Sequence, residues 1–137
     1  MAEGSSTTNK AYAAAATWFQ AGTGGDRPVG ICLDSGSMAA FDETTNAPTD
    51  ETDESGLTRA AATLTIEDSS GDLNDICQCY HKWTAGEDAS ITGSEGMSTS
   101  TTGGNMLWWH RWAATLSGLA DGDTIEETVQ LQFKLGS

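Results

Sequence analysis

Basic residues are scarce in this sequence. Six lysines and arginines stand against 20 aspartates and glutamates, which gives a formal net charge of −14. Nucleic-acid binding depends on Lys and Arg contacts that release counterions from phosphate. The composition therefore argues against a nucleic-acid partner.

The excess acidity has three interpretations. A disordered acidic protein is the first, but the alternating apolar segments described below argue against it. A dedicated surface for cations or a basic partner is the second, and adaptation to a salt-rich cytoplasm is the third. The carboxylates are spread from Glu3 to Glu127 instead of forming one patch, which favours salt adaptation. At molar salt the Debye length is about 3 Å, so their mutual repulsion is largely screened.

This interpretation predicts a fold that depends on salt. Lowering the salt from molar to millimolar concentrations should lower the melting temperature, because repulsion among the 20 carboxylates is then unscreened. Thermal unfolding at the two concentrations checks the prediction. An unchanged melting temperature would contradict a halophilic source.

Cysteine and long apolar runs are also scarce. The first ten residues lack a basic region followed by an apolar core, so no secretory signal is expected. The Ala-rich run from Ala11 to Ala21 is too short to cross a bilayer. Three cysteines without an export signal indicate thiols and not disulfides. We therefore expect a soluble protein that is made and kept in the cytosol until it is used and has no membrane partner.

One cluster of possible metal ligands stands out. Cys77, Cys79 and His81 alternate along one predicted strand, and His110 is the obvious fourth ligand. Three same-face residues of an extended strand span about 13 Å, however, which is too wide for one ion. Small buried thiols beside a surface histidine are the favoured interpretation, and we predict no metal or other cofactor.

Catalytic motifs are absent from the sequence. Cys32 or Ser35 could act as a nucleophile together with a histidine and an acidic residue. Such a site is usually marked by a nucleophile elbow or an activated-cysteine signature, and the sequence contains neither. The loop Gly22-Thr-Gly-Gly25 leads into Asp26-Arg27-Pro28, not into a helix with a phosphate-binding lysine. We predict no catalytic residues and no enzymatic activity.

The N-terminal part predicts a polar leader over residues 1–8 and then one short helix. Tyr12, Ala15, Ala16 and Phe19 fall on one helical face, and Gly22 is a typical helix stop. A helix of about twelve residues is marginal alone in water, so its aromatic end should dock onto another element.

The rest of the chain alternates between apolar and polar residues in short segments. In the last segment, Ile125, Val129, Leu131, Phe133 and Leu135 share one face, and only Glu127 breaks this inward set. The pattern predicts an antiparallel β-sandwich, jelly-roll-like, as a single domain over residues 9–137. The predicted strands are Val29–Leu33, Arg59–Glu67, Asp75–Thr84, Ala89–Thr92, the tryptophan segment and the stretch from Ile125 onward.

A long acidic segment runs from Asp34 to Gly56 without a basic residue. It lacks the Asp-x-Asp-x-Asp-Gly spacing of a calcium loop. A solvated surface loop is therefore the favoured interpretation over a cation-binding loop.

The most distinctive segment is a glycine turn followed by tryptophans, residues 102–112. Alternation places Trp108, His110 and Trp112 on one strand face and Trp109 and Arg111 on the other. An exposed face with two tryptophans is unfavourable unless another surface covers it. We expect a subunit contact, or a docked helix contributing its aromatic residues. The alternative is a carbohydrate-stacking platform made of Trp108 and Trp112. The candidate interface residues are Trp108, Trp109, His110, Arg111, Trp112, Trp18 and Phe19.

Four short motifs resemble those of small structural proteins of tailed phages, usually labelled tail-fibre-like or virion structural proteins. They are Pro28-Val-Gly-Ile-Cys-Leu33, Ser55-Gly-Leu-Thr-Arg-Ala-Ala61, Thr102-Gly-Gly-Asn-Met-Leu-Trp-Trp109 and Asp121-Gly-Asp-Thr-Ile125. This chain departs from the family at His110, Arg111 and Trp112, where the family usually has Gly and then Ala.

The resemblance implies a non-enzymatic virion component of the capsid, tail or baseplate that works as an oligomer. Its expected partners are further copies of itself and other virion proteins, with a host surface glycan as an additional possibility. Together with the acidic composition, the resemblance indicates a virus of a halophilic archaeon.

Overall fold

The computed structural model describes residues 9–22, 26–42, 44–71 and 73–133. The leader predicted over residues 1–8 lies outside these ranges. The described chain forms one helix and seven strands. In chain order they are α1 (Asn9–Ala21), β1 (Gly30–Asp34), β2 (Ala60–Ala61), β3 (Thr63–Glu67), β4 (Ile76–Thr84), β5 (Ala89–Met97), β6 (Met106–Leu119) and β7 (Thr124–Gln132).

The strands form two antiparallel sheets that pack as a sandwich. Sheet A has the order β2-β1-β5-β6, and sheet B has the order β3-β4-β7. This confirms the prediction of a mainly β, antiparallel sandwich with one short helix, whereas the jelly-roll-like arrangement stays a prediction. The buried core between the sheets includes Ile31, Leu33, Leu57, Cys79, Trp83, Ala85, Ile91, Trp108, Leu119 and Ile125.

Trp108 belongs to this core and not to the surface. It is 9% exposed, and its indole lies directly over the backbone of Gly96 on the neighbouring strand. A Cβ at Gly96 would stand 2.0 Å from Nε1 of Trp108, so only glycine leaves room for the ring. The prediction that Trp108 and Trp112 form a stacking platform is therefore wrong for Trp108, because this buried side chain is not accessible to a ligand.

Two strand predictions differ from the structure. The segment 59–67 was expected to be one strand, but its first part joins sheet A as β2 and its second joins sheet B as β3. Ala62 stands at the crossing, where its N–H donates to the carbonyl of Val29 at 2.9 Å. Inward-facing residues continue through this corner, since Ala62 and Leu64 both pack against the core. Alternation alone therefore could not reveal the change of sheet.

The second difference is the length of β5. Its predicted strand ended at Thr92, but β5 continues to Met97. Gly93 and Gly96, which weakened the prediction, lie where neighbours approach the backbone closely. A Cβ on Gly93 would stand 2.3 Å from the carbonyl oxygen of His110. The glycines make room for β6 and its side chains and do not end the strand.

The acidic segment after β1 is a cover for the outer face of sheet A. The prediction of a solvated loop over Asp34–Gly56 is wrong for part of it, because Asp34, Met38 and Thr52 are buried. Phe41 packs against a second apolar cluster made of Cys32, Met97 and Met106. Sheet A therefore has apolar side chains on both faces, and the covering loop, residues 35–58, shields the outer one.

Helix α1 packs mainly against β3 and β4. Ala16 is fully buried, and Phe19 stacks on Phe133 with ring centroids 5.3 Å apart.

The helix stops at Gly22 as predicted, and the N–H of Gly22 donates to the carbonyl of Trp18 at 2.8 Å. The guanidinium of Arg27 donates to the carbonyls of Trp18 and Gln20, which caps the negative end of the helix dipole. The docked helix therefore covers sheet B more than the tryptophan strand, and the side chain of Tyr12 lies outside the described part.

None of the described helices has both the length and the apolar character needed to cross a membrane.

Candidate interaction surface

Strand β6 is the long edge of sheet A. It spans 14 residues and pairs with β5 alone among the described strands. At the opposite edge, β2 has only two residues. Sheet B has acidic residues on both of its edges, with Glu67 on β3 and Glu126 and Glu127 on β7. An edge strand presents unpaired N–H and C=O groups that can pair with another chain, and β6 offers the longest such row.

Large apolar side chains lie on this edge in contact with solvent. Leu107 is 36% exposed, Trp109 39% and Leu116 40%. Phe41 from the covering loop meets Trp109 edge-on, with ring centroids 5.8 Å apart, and it covers only part of the indole. Exposed apolar side chains that share one edge are typical of interaction sites.

The charge of this region is unlike that of the rest of the chain. No aspartate or glutamate occurs between Gly96 and Ala120, although 20 occur elsewhere. His110 and Arg111 are the ionisable side chains of β6. We call β6, residues 106–119, the acid-free edge. The absence of acidic residues is visible in the sequence, but its significance depends on β6 being an edge.

The acid-free edge contains a large bulge. Arg111 pairs with Gly93 and Leu116 pairs with Ile91, so residues 112–115 of β6 stand opposite Thr92 alone. The bulge bends away from β5 and faces residues 35–39 of the covering loop across a groove of about 710 Å³. Bulges occur often beside functional sites because they redirect side chains. The groove is lined by Ser35, Gly36, Ser37, Met38, Ala39, Thr92, Arg111, Trp112, Ala113, Ala114 and Thr115.

Glu127 connects the acid-free edge to sheet B. Nδ1 of His110 lies 2.9 Å from Oε1 of Glu127, and Nε1 of Trp112 donates to Oε2 at 3.0 Å. Glu127 is only 6% exposed, so its two oxygens are satisfied by these partners across the sandwich. The sequence marked Glu127 as the exception in an apolar row, but the two partners come from a different sheet and only the structure identifies them.

We predict that Glu127→Ala destabilises the protein by about 1–3 kcal/mol, because the partly buried indole N–H of Trp112 loses its acceptor. Urea unfolding measures the effect. Glu126→Ala is the control, since this neighbouring side chain is 58% exposed and its contacts, a hydrogen bond from Tyr80 at 3.1 Å and Lys82 at 3.9 Å, lie on the solvent-exposed surface. Equal losses of stability in the two variants would contradict the role given to Glu127.

The predicted thiol and histidine cluster is not assembled into a metal site. Cys77 and Cys79 are buried, and His81 lies edge-on to Trp83 with ring centroids 4.7 Å apart. Hydrogen bonding to Cys77, followed by burial, raises the pKa of the Cys79 thiol, and burial lowers the pKa of His81. Within the described ranges, no three His, Cys, Asp or Glu side chains lie close enough together to hold a metal ion.

A buried acidic pair lies beneath the covering loop, and sequence reasoning missed it. Asp34 and Glu95 are both fully buried. Burial, followed by the neighbouring Asp34, raises the pKa of Glu95 to about 9. Glu95 Oε2 accepts the thiol of Cys32 at 3.4 Å, while Oε1 has no donor among the described residues. As a neutral carboxylic acid, Glu95 can donate its proton to the Asp34 carboxylate, which accounts for this otherwise unsatisfied oxygen.

Asp34 in turn holds the covering loop. Its Oδ1 accepts the N–H of Gly36 at 2.8 Å, and its Oδ2 accepts the N–H of Asp50 at 3.2 Å. Thr92 donates to the backbone carbonyls of Asp34 and Gly36. The buried pair therefore fixes the loop residues that line the groove.

Arg59 is a second anchor of the covering loop. Its Nε donates to Glu51 at 2.8 Å and its Nη2 donates to the other oxygen of the same carboxylate. Its Nη1 donates to Oγ1 of Thr99 at 2.8 Å and to the carbonyl of Gly103 at 2.7 Å. The side chain is 4% exposed. Arg59 thus joins the covering loop to the turn that leads into β6.

The structure brings together four of the seven predicted interface residues. Trp109, His110, Arg111 and Trp112 lie along the acid-free edge. Trp108 is on the same strand, but its side chain points into the core. Trp18 and Phe19 lie on α1, next to each other, and Phe19 stacks on Phe133.

Comparison of the chain with protein-family models, curated proteins and solved structures finds no match. The resemblance to tailed-phage structural proteins therefore depends on its four short motifs alone, and membership of that family stays a prediction.

Proposed function

We propose that this protein is a non-enzymatic structural component of a tailed virus, in the capsid, tail or baseplate, and that it assembles through the acid-free edge. The observation that supports this proposal most strongly is the combination of length, exposed apolar side chains and lack of acidic residues on β6. A 14-residue edge strand with exposed leucine and tryptophan side chains, and without an acidic residue, occurs in a chain of net charge −14.

Electrostatics supports this choice of surface. Two copies of a strongly acidic chain repel each other wherever their carboxylates approach. The acid-free edge avoids this repulsion, since its ionisable side chains are His110 and Arg111. Contact there places any acidic surface of the partner opposite a neutral or positive strand.

Backbone and side-chain chemistry support it as well. Strand addition to an exposed sheet edge provides main-chain hydrogen bonds, while pockets for alternate side chains provide specificity. Covering Leu107, Trp109 and Leu116 removes apolar surface from water, worth about 25 cal/mol per Å². A partner strand would fit residues 107–110 of the edge. The N–H of Met106 already donates to the carbonyl of Asn46 at 2.9 Å, and the bulge interrupts the ladder after Arg111.

The thiols give no support to a catalytic alternative. Cys32, Cys77 and Cys79 are all buried, and burial raises the pKa of Cys32 far above its usual range, with Glu95 adding to the effect. The thiol of Cys32 is therefore both inaccessible and protonated, which makes it inert as a nucleophile. Hydrogen bonding to Cys79 lowers the pKa of Cys77, but this thiol is fully buried and out of reach of a substrate. The proposal of a structural role needs no such group.

We predict that Leu107→Glu weakens self-association at least about tenfold, because it places a carboxylate in the proposed contact. Native mass measurement across a dilution series in molar salt gives the result. Thr65→Glu on the exposed edge strand β3 adds the same charge elsewhere and should leave assembly unchanged. A monomeric parent protein at micromolar concentration, or equal effects of the two variants, would refute assembly through β6.

Purified particles test the virion role directly. Mass spectrometry of particles from a salt-loving host should find the chain in stoichiometric multiples. Its absence from the particles would refute the structural role, whatever the outcome of the assembly measurement.

One observation favours the alternative function, a carbohydrate-binding or receptor-binding module. Trp112 lines the groove beside the bulge, although its predicted partner Trp108 is buried. A receptor site and an assembly edge can coexist on β6, because the groove involves residues 111–115 of this strand and the proposed strand pairing involves residues 107–110.

A further inference from the structure

The groove beside the bulge differs in charge from three other concavities of the described surface. Those three, of about 400, 480 and 310 Å³, are each lined by at least one carboxylate: Glu51 and Asp53, then Glu54 and Asp88, and then Asp42. The groove of about 710 Å³ has no carboxylate in its lining, and Arg111 is its charged residue. Its lining therefore suits an anion, although the chain as a whole is strongly acidic.

Arg111 is available for a ligand. Arg27 caps α1 and Arg59 binds Glu51 and the turn at Thr99. Arg111 is exposed, and within the described part of the chain it makes no ion pair or side-chain hydrogen bond. A guanidinium presents a planar fork of donors that matches a carboxylate in a bidentate arrangement.

Trp112 supplies a fixed aromatic surface beside Arg111. Its indole N–H is held by Glu127, and its ring packs partly against the core. The ring is half-buried, so part of it faces the groove. A ring fixed before binding loses little conformational entropy when a ligand stacks on it, and indoles offer large apolar area at such sites.

The remaining lining is rich in hydroxyl groups. Ser35, Ser37, Thr92 and Thr115 contribute side-chain oxygens around the groove. Binding pockets of about 300–1,000 Å³ hold small ligands, so the volume suits one or two sugar rings. The lining thus offers one cation, one aromatic ring and several hydroxyl groups, which match a sugar ring that has a single carboxylate. The same lining matches a phosphate dianion poorly, because it contains no lysine.

We propose that this groove binds an acidic saccharide of the uronic-acid class, with Arg111 on the sugar carboxylate and Trp112 against the ring. The site goes beyond the structural role, because it gives the protein a ligand-recognition function that does not require self-association. It also assigns a role to the three residues, His110, Arg111 and Trp112, at which the chain departs from the family it resembles.

The probe is a tetrasaccharide containing glucuronic acid, and its carboxyl-reduced form is the neutral control. Titration followed by tryptophan fluorescence and saturation-transfer NMR should detect binding of the acidic form, with the reduced form at least about tenfold weaker, as expected for loss of a charge-assisted hydrogen-bonded pair. Arg111→Gln should weaken binding of the acidic probe by a similar factor.

Lys82→Gln removes one positive charge on β4, away from the groove, and should leave binding unchanged. Circular dichroism on each variant confirms that the fold is retained. Failure of the acidic probe to bind at millimolar concentration, equal binding of the reduced probe, or equal losses in Arg111→Gln and Lys82→Gln would each overturn the proposal. The assembly measurement on Leu107→Glu is independent of these outcomes, because Leu107 does not line the groove.

Discussion

Glu95→Gln should stabilise the protein at neutral pH and reduce its loss of stability between about pH 5 and pH 9. The pKa of the Glu95 carboxyl is raised from 4.5 to about 9 by burial, with Asp34 adding to the effect. The folded state therefore keeps a proton over a pH range in which the unfolded state releases it. Glutamine is neutral at every pH, and its amide can still donate to Asp34.

The sign follows from proton linkage. The contribution of protonated Glu95 is fully present below about pH 4.5 and is lost as the pH rises toward about 9. The loss amounts to about 1.4 kcal/mol per pH unit while the folded state holds one more proton than the unfolded state. Above the folded pKa, both states are ionised and the stability no longer depends on this group.

Urea unfolding at several pH values between 5 and 9 measures the slope. The difference between the parent protein and Glu95→Gln isolates this group, because all other carboxylates are common to both chains. Glu126→Gln is the exposed control and should follow the parent protein. Parallel pH profiles of the parent and Glu95→Gln would show that Glu95 is not held protonated in the folded state.

Arg59→Ala should destabilise the fold by about 2–3 kcal/mol, because a partly buried guanidinium loses its hydrogen bonds to the Glu51 carboxylate and to the turn before β6. The substitution leaves the Glu51 carboxylate and the carbonyl of Gly103 without their donors. The covering loop and the turn before β6 then lose their common anchor. We also expect faster proteolysis within residues 35–58.

Thermal and urea unfolding give the size of this effect. Arg59→Lys should recover part of the loss, because an ammonium keeps the charge but cannot bind Glu51 through two parallel hydrogen bonds. Lys82→Ala is the control for removing an exposed cation, and it should change the free energy of unfolding by less than about 1 kcal/mol. A loss below that value in Arg59→Ala would contradict the anchoring role.

The candidate surface was partly predictable. The run of aromatic residues from Trp108 to Trp112 identified the right strand, and alternation correctly separated Trp109 from Trp108 and Trp112. Burial of Trp108 was not predictable, because it depends on the space left by Gly96 on a neighbouring strand. The groove was not predictable either, since it needs a bulge opposite Thr92 and a loop from a distant part of the chain.

The acidic segment from Asp34 to Gly56 shows why composition misleads locally. Its acidic residues predicted full solvation, yet Asp34 is buried beside Glu95 of β5, and Glu51 is paired with Arg59. A carboxyl group enters a protein interior when it is protonated, paired or hydrogen-bonded. Glu95 is on a different strand from Asp34, and Arg59 lies outside the acidic segment, so no pattern within that segment reveals these contacts.

The sequence by itself determined the class of fold, the end of the helix at Gly22 and the exceptional position of Glu127. Side-chain alternation and glycine placement act through neighbouring residues, and the chain encodes them locally. Tertiary structure alone decided the sheet change at Ala62, the partners of Glu127 and the exposure of the acid-free edge. Each of these depends on which distant segments meet, and pairing between distant segments follows from packing of the whole core.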